Sequence, residues 1–186
     1  MVDVALEHAI LVSLLEQPGS GYELARRFDR SIGRFWTATH QQIYRVLRRM
    51  ESDGWVTAEE IDQDGRPDKR CYSATTAGRA ALTAWLREPV QPETVRHELA
   101  VKIRGAAFDD DAGRAALITE VERYRADHET TLHRYLTGEQ RDFPDDGELD
   151  TGRRLQHVVL RGGILYEQMV LAWLDDVLET LHDLGH

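Results

Sequence analysis

Residues 40 to 54 read His40-Gln41-Gln42-Ile43-Tyr44-Arg45-Val46-Leu47-Arg48-Arg49-Met50-Glu51-Ser52-Asp53-Gly54, and they sort into two faces when wound as a helix. At about 100° per residue, Ile43, Val46, Leu47 and Met50 share roughly a third of the circumference, as a buried face does. Gln41, Gln42, Arg45, Arg48 and Arg49 gather opposite, and none of these five is acidic. Thr39 followed by Gln42 at the third helical position fits a capping box, and Gly54 suits the left-handed residue that ends a helix. The stretch is therefore expected to be short, bounded and solvent-presenting. Glutamine can bond an adenine edge through both amide atoms, arginine can do the same to guanine, and spare arginines neutralise phosphates. A helix that reads duplex DNA has this face. So does an exposed helix that happens to be basic, and the flanking sequence must decide between them.

Upstream, residues 3 to 16 carry Val4, Leu6, Ala9, Ile10, Val12, Leu14 and Leu15, too many apolar positions for a one-sided surface helix. That segment is expected at the centre of a core. Gln17-Pro18-Gly19 ends it, and Ser20 with Glu23 makes a second capping box, opening a helix through about Ser31. Leu24, Ala25 and Phe28 form its inward stripe, with Arg26, Arg27 and Arg30 outward. Two capped helices joined by a turn read as helix-turn-helix. Downstream, Trp55 to Ile61 nearly alternates, 62 to 68 is turn chemistry, and Lys69 to Ala74 reads as a returning strand. Thr76 is the expected cap of a helix to about Arg87, with Leu82, Trp85 and Leu86 inward. Helix, helix, helix, hairpin is the order of a winged helix-turn-helix domain, whose wing would carry Arg66, Lys69 and Arg70 to the phosphates or the minor groove.

The 186 residues sum to a net charge of −10, which taken whole argues against nucleic acid. The division matters more than the sum. Residues 1 to 88 hold 12 basic and 13 acidic groups, net −1, whereas residues 89 to 186 hold 11 and 20, net −9. Within the first half, residues 26 to 49 concentrate seven arginines against Asp29, a local positive patch on a neutral module. The single cysteine, Cys71, excludes an internal disulfide and cannot build a cysteine-based metal site. Without an apolar run of about twenty residues or a cationic leader, the chain is expected in the cytoplasm.

Pro89 and Pro92 bracket a connector, which places a winged-helix DNA-binding domain in residues 1 to 88 and a helical domain for dimerisation and effector binding in 89 to 186. The expected fold is mainly α with one small β-hairpin. An amphipathic segment at 93 to 107, a long helix from about Asp111 to Leu136 and an acidic loop at 138 to 147 lead to a last helix, about Asp150 to Leu184. On that helix Leu155, Val159, Gly162, Tyr166, Met169, Trp173, Val177 and Leu181 step by three and four. Leu160, Ile164, Leu165, Leu171, Leu174 and Leu178 widen the band beyond what one partner helix would cover. A second copy of the chain is the expected cover, giving a homodimer. Tryptophans at 36, 85 and 173, with His157 and Tyr166, mark where a small aromatic effector would be sought; core packing is the alternative for His157, Tyr166 and Trp173 on the last helix, and the one preferred.

Catalysis finds no support. His128-Glu129 and His133 stand five apart, about 140° off the shared face that a zinc-protease motif needs, and there is no phosphate-cradling loop or nucleophile pattern. No metal and no cofactor are expected.

Several linked motifs carry a resemblance: Pro18-Gly19-Ser20-Gly21-Tyr22-Glu23-Leu24, Gly33-Arg34-Phe35-Trp36, Gln42-Ile43-Tyr44-Arg45-Val46-Leu47, Asp53-Gly54-Trp55-Val56, Gly65-Arg66-Pro67-Asp68-Lys69-Arg70, Tyr72-Ser73 and Thr76-Ala77-Gly78-Arg79. In this order they resemble the PadR family of bacterial transcriptional regulators over about residues 8 to 86. The acidic helical half resembles, by architecture, the C-terminal domain of the larger virulence-activator-like subfamily. The resemblance implies a dimeric winged-helix repressor, released by an effector, that binds an inverted repeat in double-stranded DNA. It implies that Gln42, Tyr44 and Arg45 face DNA, that Tyr22 lies near the backbone, and that His40 and Gln41, where the family varies, take part in sequence choice. A scaffold that uses its winged helix for protein contacts is the alternative kept.

Overall fold

The computed structural model describes residues 4–30, 38–61, 69–90, 97–144 and 149–184. The chain divides into two compact units, Met1–Gln91 and Pro92–His186. The first contains α1 (Val4–Glu16), β1 (Gly19–Ser20), α2 (Gly21–Arg30), α3 (His40–Ser52), β2 (Val56–Ile61), β3 (Lys69–Ala74) and α4 (Thr76–Trp85). The second contains α5 (Glu98–Gly105), a 3₁₀ turn (Ala106–Phe108), α6 (Asp111–Asp142) and α7 (Thr151–Asp183).

Helix α1 is the hub of the first unit because its apolar positions run around its circumference. Leu6, Ile10, Leu11 and Leu14 are buried, with Leu24, Ala25 and Phe28 of α2 and Ile43, Leu47 and Met50 of α3 in the same core. His8 on α1 stacks on Trp85 of α4 with ring centroids 4.5 Å apart. Leu86, expected inward, lies just past the end of α4 and is exposed. The hairpin adds Val56 and Tyr72 at its base, while Glu59, Glu60 and Ile61 are exposed, so among the described residues the wing is tied to the core at its root. Strands β2 and β3 pair antiparallel from Val56 opposite Ala74 to Ile61 opposite Lys69.

A third strand escapes sequence reading. Gly19 and Ser20 pair with Tyr72 and Cys71, giving the sheet order β1-β3-β2. Two residues cannot show a period-2 pattern, and the same serine also opens α2. Thr75, rather than Thr76, caps α4: its hydroxyl accepts from the Gly78 amide at 3.1 Å and donates to the Gly54 carbonyl at 2.7 Å. Gly78 is buried where a β-carbon would overlap the backbone carbonyl of Trp55, which already accepts the Thr75 amide at 3.0 Å. Gly78→Ala should therefore destabilise the first unit by about 1–3 kcal/mol despite its better helix propensity, since backbone must move. A urea titration checks this.

In the second unit α6 and α7 run antiparallel, as the cross-helix pairs Arg125–Asp175, His128–Glu167 and Glu139–His157 require. Leu99, Val121, Val170, Leu174, Val177 and Leu181 form one core cluster, and Tyr135, Leu160 and Ile164 a second. Between them lies the buried Glu167 carboxylate, 2.5 Å from His128 Nδ1. Helix α6 continues six residues past the expected end at Leu136, taking in part of the predicted loop. Asp110 and Asp150 cap α6 and α7, accepting from the Gly113 and Arg153 amides at 2.9 Å.

Candidate nucleic-acid interface

Helix α3 is fixed at both ends before anything else touches it. At the start, the Thr39 hydroxyl accepts from the Gln42 amide at 3.2 Å, and the Gln42 side-chain oxygen accepts from the Thr39 amide at 2.8 Å. At the end, Gly54 has φ +74°, with Trp55 N–H donating to the Met50 carbonyl at 2.8 Å and Gly54 N–H to Glu51 at 3.1 Å. This is a Schellman stop. Ile43, Val46, Leu47 and Met50 face inward, so His40, Gln41, Gln42, Tyr44, Arg45 and Arg48 are left exposed on one rigid rod.

Two expected members of the face are corrected. Arg49 is turned back toward α1, where its guanidinium pairs with Glu7 and is half-buried. It sits at the edge of the arc beside Val46, within reach of α1. Gln42 remains on the surface, but its amide oxygen is committed to the Thr39 amide and hydroxyl. Two-point reading of adenine needs that oxygen free. Gln42→Ala should thus cost about 1 kcal/mol of stability through the lost cap while leaving base preference unchanged, as a melt and a binding-site selection would show. Arg27, also expected outward, donates from Nη1 to the Ser13 carbonyl at 3.0 Å and to the Gln17 carbonyl, closing the end of α1.

Around α3 stand Tyr22, exposed beneath the Arg26 guanidinium 5.9 Å from its ring, and Tyr44, whose ring occupies the space a β-carbon on Gly21 would need. The wing root brings Lys69 and Arg70, and neither is bare. Lys69 Nζ is 2.7 Å from Glu23, and Arg70 Nη2 is 2.6 Å from Glu51. The sequence reading missed both counter-ions because Glu23 had a sufficient role in its capping box and Glu51 pairs across the fold. Among the described residues neither Arg45 nor Arg48 has an ion-pair partner. Arg66 and Trp36 lie outside the described residues.

The hydrogen bond from Lys69, then that from the Ser20 amide, hold the Glu23 carboxyl down from 4.5 to about 2. Its folded pKa is below its unfolded one, so the stabilisation is complete above about pH 4.5 and is lost as pH falls toward 2. Both side chains are partly solvated, which limits the pair to about 1 kcal/mol or less. Lys69→Met should remove most of this acid dependence, measured as unfolding free energy at pH 3 against pH 6.

The second unit presents a different surface. Along α7, Leu155, Val158, Val159, Leu165, Tyr166 and Met169 are each more than half exposed, with Gly162 among them. They form one continuous apolar stripe. Val177 and Leu181, placed by the sequence reading on the same dimer stripe, are instead buried in the chain's own core, and Trp173 packs against that core with His97 at 5.0 Å. Periodicity identified the apolar positions but not which of two apolar sectors α6 would cover.

The proposed aromatic wall also fails to assemble. His157 stacks on Phe143 at 4.7 Å and bonds Glu139 at 2.7 Å. Trp173 lies sixteen residues further along the same helix, about 24 Å away. Tyr166 is exposed between them, and Trp85 is committed to His8 in the other unit. A cleft of about 300 Å³ does open beside α5 and α6, lined by His97, Glu98, Leu99, Lys102, Glu120, Arg123 and Tyr124, none of which was singled out. Among the described residues no cluster could hold a metal ion, and no helix is long and apolar enough to cross a membrane.

A capped helix pair, an outward-facing α3, a three-stranded sheet whose hairpin projects from it and a separate helical unit define a winged helix-turn-helix protein with a helical C-terminal domain. The chain belongs to the PadR-like family of transcriptional regulators: that family's model matches residues 10–84, and the model for the virulence activator alpha C-terminal region matches residues 95–182. A protein described as "Probable transcriptional regulator Rv1176c" of Mycobacterium tuberculosis is 50% identical over 97% of this chain and 99% of its own length. The virulence activator AphA of Vibrio cholerae superposes with a TM-score of 0.77 at 30% identity, over 96% of this chain and 99% of that one. Bacillus subtilis PadR, a negative transcriptional regulator, is 35% identical over 52% of this chain and 54% of its own. Its structure in complex with operator DNA superposes with a TM-score of 0.81 over 95% of this chain and 97% of that one, and it has also been solved with p-coumaric acid. These relatives are transcriptional regulators rather than enzymes.

Proposed function

We propose that the protein is a homodimeric, cytoplasmic repressor that binds an inverted repeat in duplex DNA through α3 and is released by a small aromatic effector. The observation that carries the DNA reading is the face of α3, where Arg45 and Arg48 stand exposed and unpaired among the described residues on a helix locked at both ends. Gln41 and His40 extend that face toward its N-terminus, and Tyr22 and Tyr44 flank it. Pairing of two copies along the α7 stripe would give two such helices a dyad, which calls for half-sites about 10 base pairs or a multiple apart. Enrichment of genomic fragments on the immobilised full chain should return an inverted repeat with that spacing. Recovery without any shared sequence would defeat the reading.

A second reading, a winged-helix scaffold for protein contacts, draws on the pairing of Lys69 and Arg70 with acids of the same domain. It predicts binding that is indifferent to salt, whereas contact with several phosphates predicts a steep fall in affinity as salt rises. The repressor and effector parts of the proposal draw on Bacillus subtilis PadR, a negative regulator that has also been solved with p-coumaric acid. Aromatic acids titrated against intrinsic fluorescence, with operator affinity followed in parallel, test it. Linkage requires the two to change together.

A further inference from the structure

The wing root holds two cations that a DNA-binding surface would be expected to offer freely, and each is matched by a carboxylate from a different element. Glu23 comes from the first turn of α2. One oxygen meets Lys69 Nζ at 2.7 Å, while the other accepts from the Ser20 amide at 2.9 Å and hydroxyl at 3.1 Å, so the group is anchored rather than dangling. Glu51 comes from the last turn of α3, one turn beyond Arg48, and meets Arg70 Nη2 at 2.6 Å. The Arg70 guanidinium also lies 5.8 Å from the ring of Tyr72, whose hydroxyl is in electrostatic reach of Arg48, Tyr44 and Glu51. The two acids therefore sit within the surface that carries the reading helix and the wing.

We propose that Glu23 and Glu51 are internal counter-ions that suppress sequence-independent DNA binding, so that Lys69 and Arg70 engage phosphate only where α3 is seated on its own site. The inference rests on the DNA-binding reading above. Non-specific affinity is built from phosphate neutralisation, and a cation already neutralised releases no counter-ion when a phosphate arrives. Each pair is solvated enough to exchange: side-chain exposures are 30% and 45% for Lys69 and Glu23, and 51% and 30% for Arg70 and Glu51. Solvated pairs hold weakly, so a phosphate positioned by base contacts can displace the carboxylate. A phosphate met by random sliding gains nothing. The acids would thereby keep Lys69 and Arg70 out of non-specific complexes without touching a base.

The test uses the full-length protein with Glu23→Gln, Glu51→Gln and the double replacement. Glutamine at 23 keeps the capping box with Ser20. Glu122→Gln, on the exposed face of α6, makes the same change in net charge away from the surface. Affinities for an operator fragment and for a random duplex of equal length are measured across salt concentration. Each single wing-root variant should bind the random duplex roughly 2- to 5-fold tighter near 0.1 M salt, with the log–log salt slope steeper by about 0.9 per replacement. Operator affinity should rise at least as much, because the wild type already gives up the pair energy there, but its salt slope should not change, since Lys69 and Arg70 meet phosphate in that complex with or without the acids. Glu122→Gln should change neither affinity nor either slope. Unchanged random-duplex affinity and slope in a wild type that selects its operator would overturn the inference and leave the DNA reading standing. An operator slope that steepens as much as the random-duplex slope, or the same rise in Glu122→Gln, would also overturn it. A wild type with no preference for any sequence would remove the DNA reading itself.

Discussion

Replacing Leu165 and Met169 together by aspartate should convert the protein to a monomer in sedimentation and lower its operator affinity by at least about 100-fold, with its helical circular dichroism intact. Both side chains are 60% exposed, and neither belongs to the clusters that hold α6 against α7. Folding of the single chain gives up little when they change. Pairing gives up a great deal, because each aspartate would carry a charge into the centre of an apolar contact formed by Leu155, Val159, Tyr166 and their symmetry mates. A buried charge without a partner costs about 3–5 kcal/mol. Two half-sites joined in one dimer gain an effective concentration in the millimolar range, and a monomer forfeits that gain, which sets the loss at about two orders of magnitude or more. A double variant that still sediments as a dimer would place the interface elsewhere.

Arg45→Ala should weaken operator binding by about 1–3 kcal/mol, roughly 5- to 150-fold, and relax the preference at one base pair of each half-site. The position supports a base-reading role over a phosphate role. Arg45 lies one turn from Gln41 on the middle of the exposed arc, on a helix whose capping box and Schellman stop leave little freedom to reorient. Arg48 lies a turn further toward Glu51 and the wing root, where backbone contact is the expected duty. Its replacement should lower affinity for all sequences alike and reduce the salt slope by about one. If Arg45→Ala instead leaves the selected sequence unchanged and only flattens the salt slope, the two arginines have exchanged roles and Gln41 with His40 must carry the choice of bases.

What could be read in advance follows the range of the interaction. Capping boxes at Ser20–Glu23 and Thr39–Gln42 and the stop at Gly54 lie within a few residues, and all three are present in the structure. The two hairpin strands follow from near alternation and the turn residues between them, and the structure has them at Val56–Ile61 and Lys69–Ala74. Partners distant in sequence were hidden: Arg49 found Glu7, Arg27 found the end of α1, and Lys69 and Arg70 found Glu23 and Glu51. Charge counting treats all of these as free cations, yet tertiary contacts commit each of them to a partner in the fold. Helix α7 shows the same boundary on its apolar side. Its composition signalled more hydrophobic surface than a single neighbour could cover, but only the packing of α6 showed that Val177 and Leu181 lie inside and Leu165 and Met169 outside. The supposed cluster of His157 and Trp173 could have been rejected from helix rise alone, since sixteen residues separate them by about 24 Å.

The most direct measurement is a hydroxyl-radical footprint of the wild-type protein and Arg45→Ala on the genomic fragment that the protein selects best. Two dimer-related α3 helices should protect a pair of half-sites centred about 10 base pairs or a multiple apart, and Arg45→Ala at the same concentration should leave that pair unprotected. A single unrepeated protected patch, or a footprint that Arg45→Ala reproduces in full, would contradict the account.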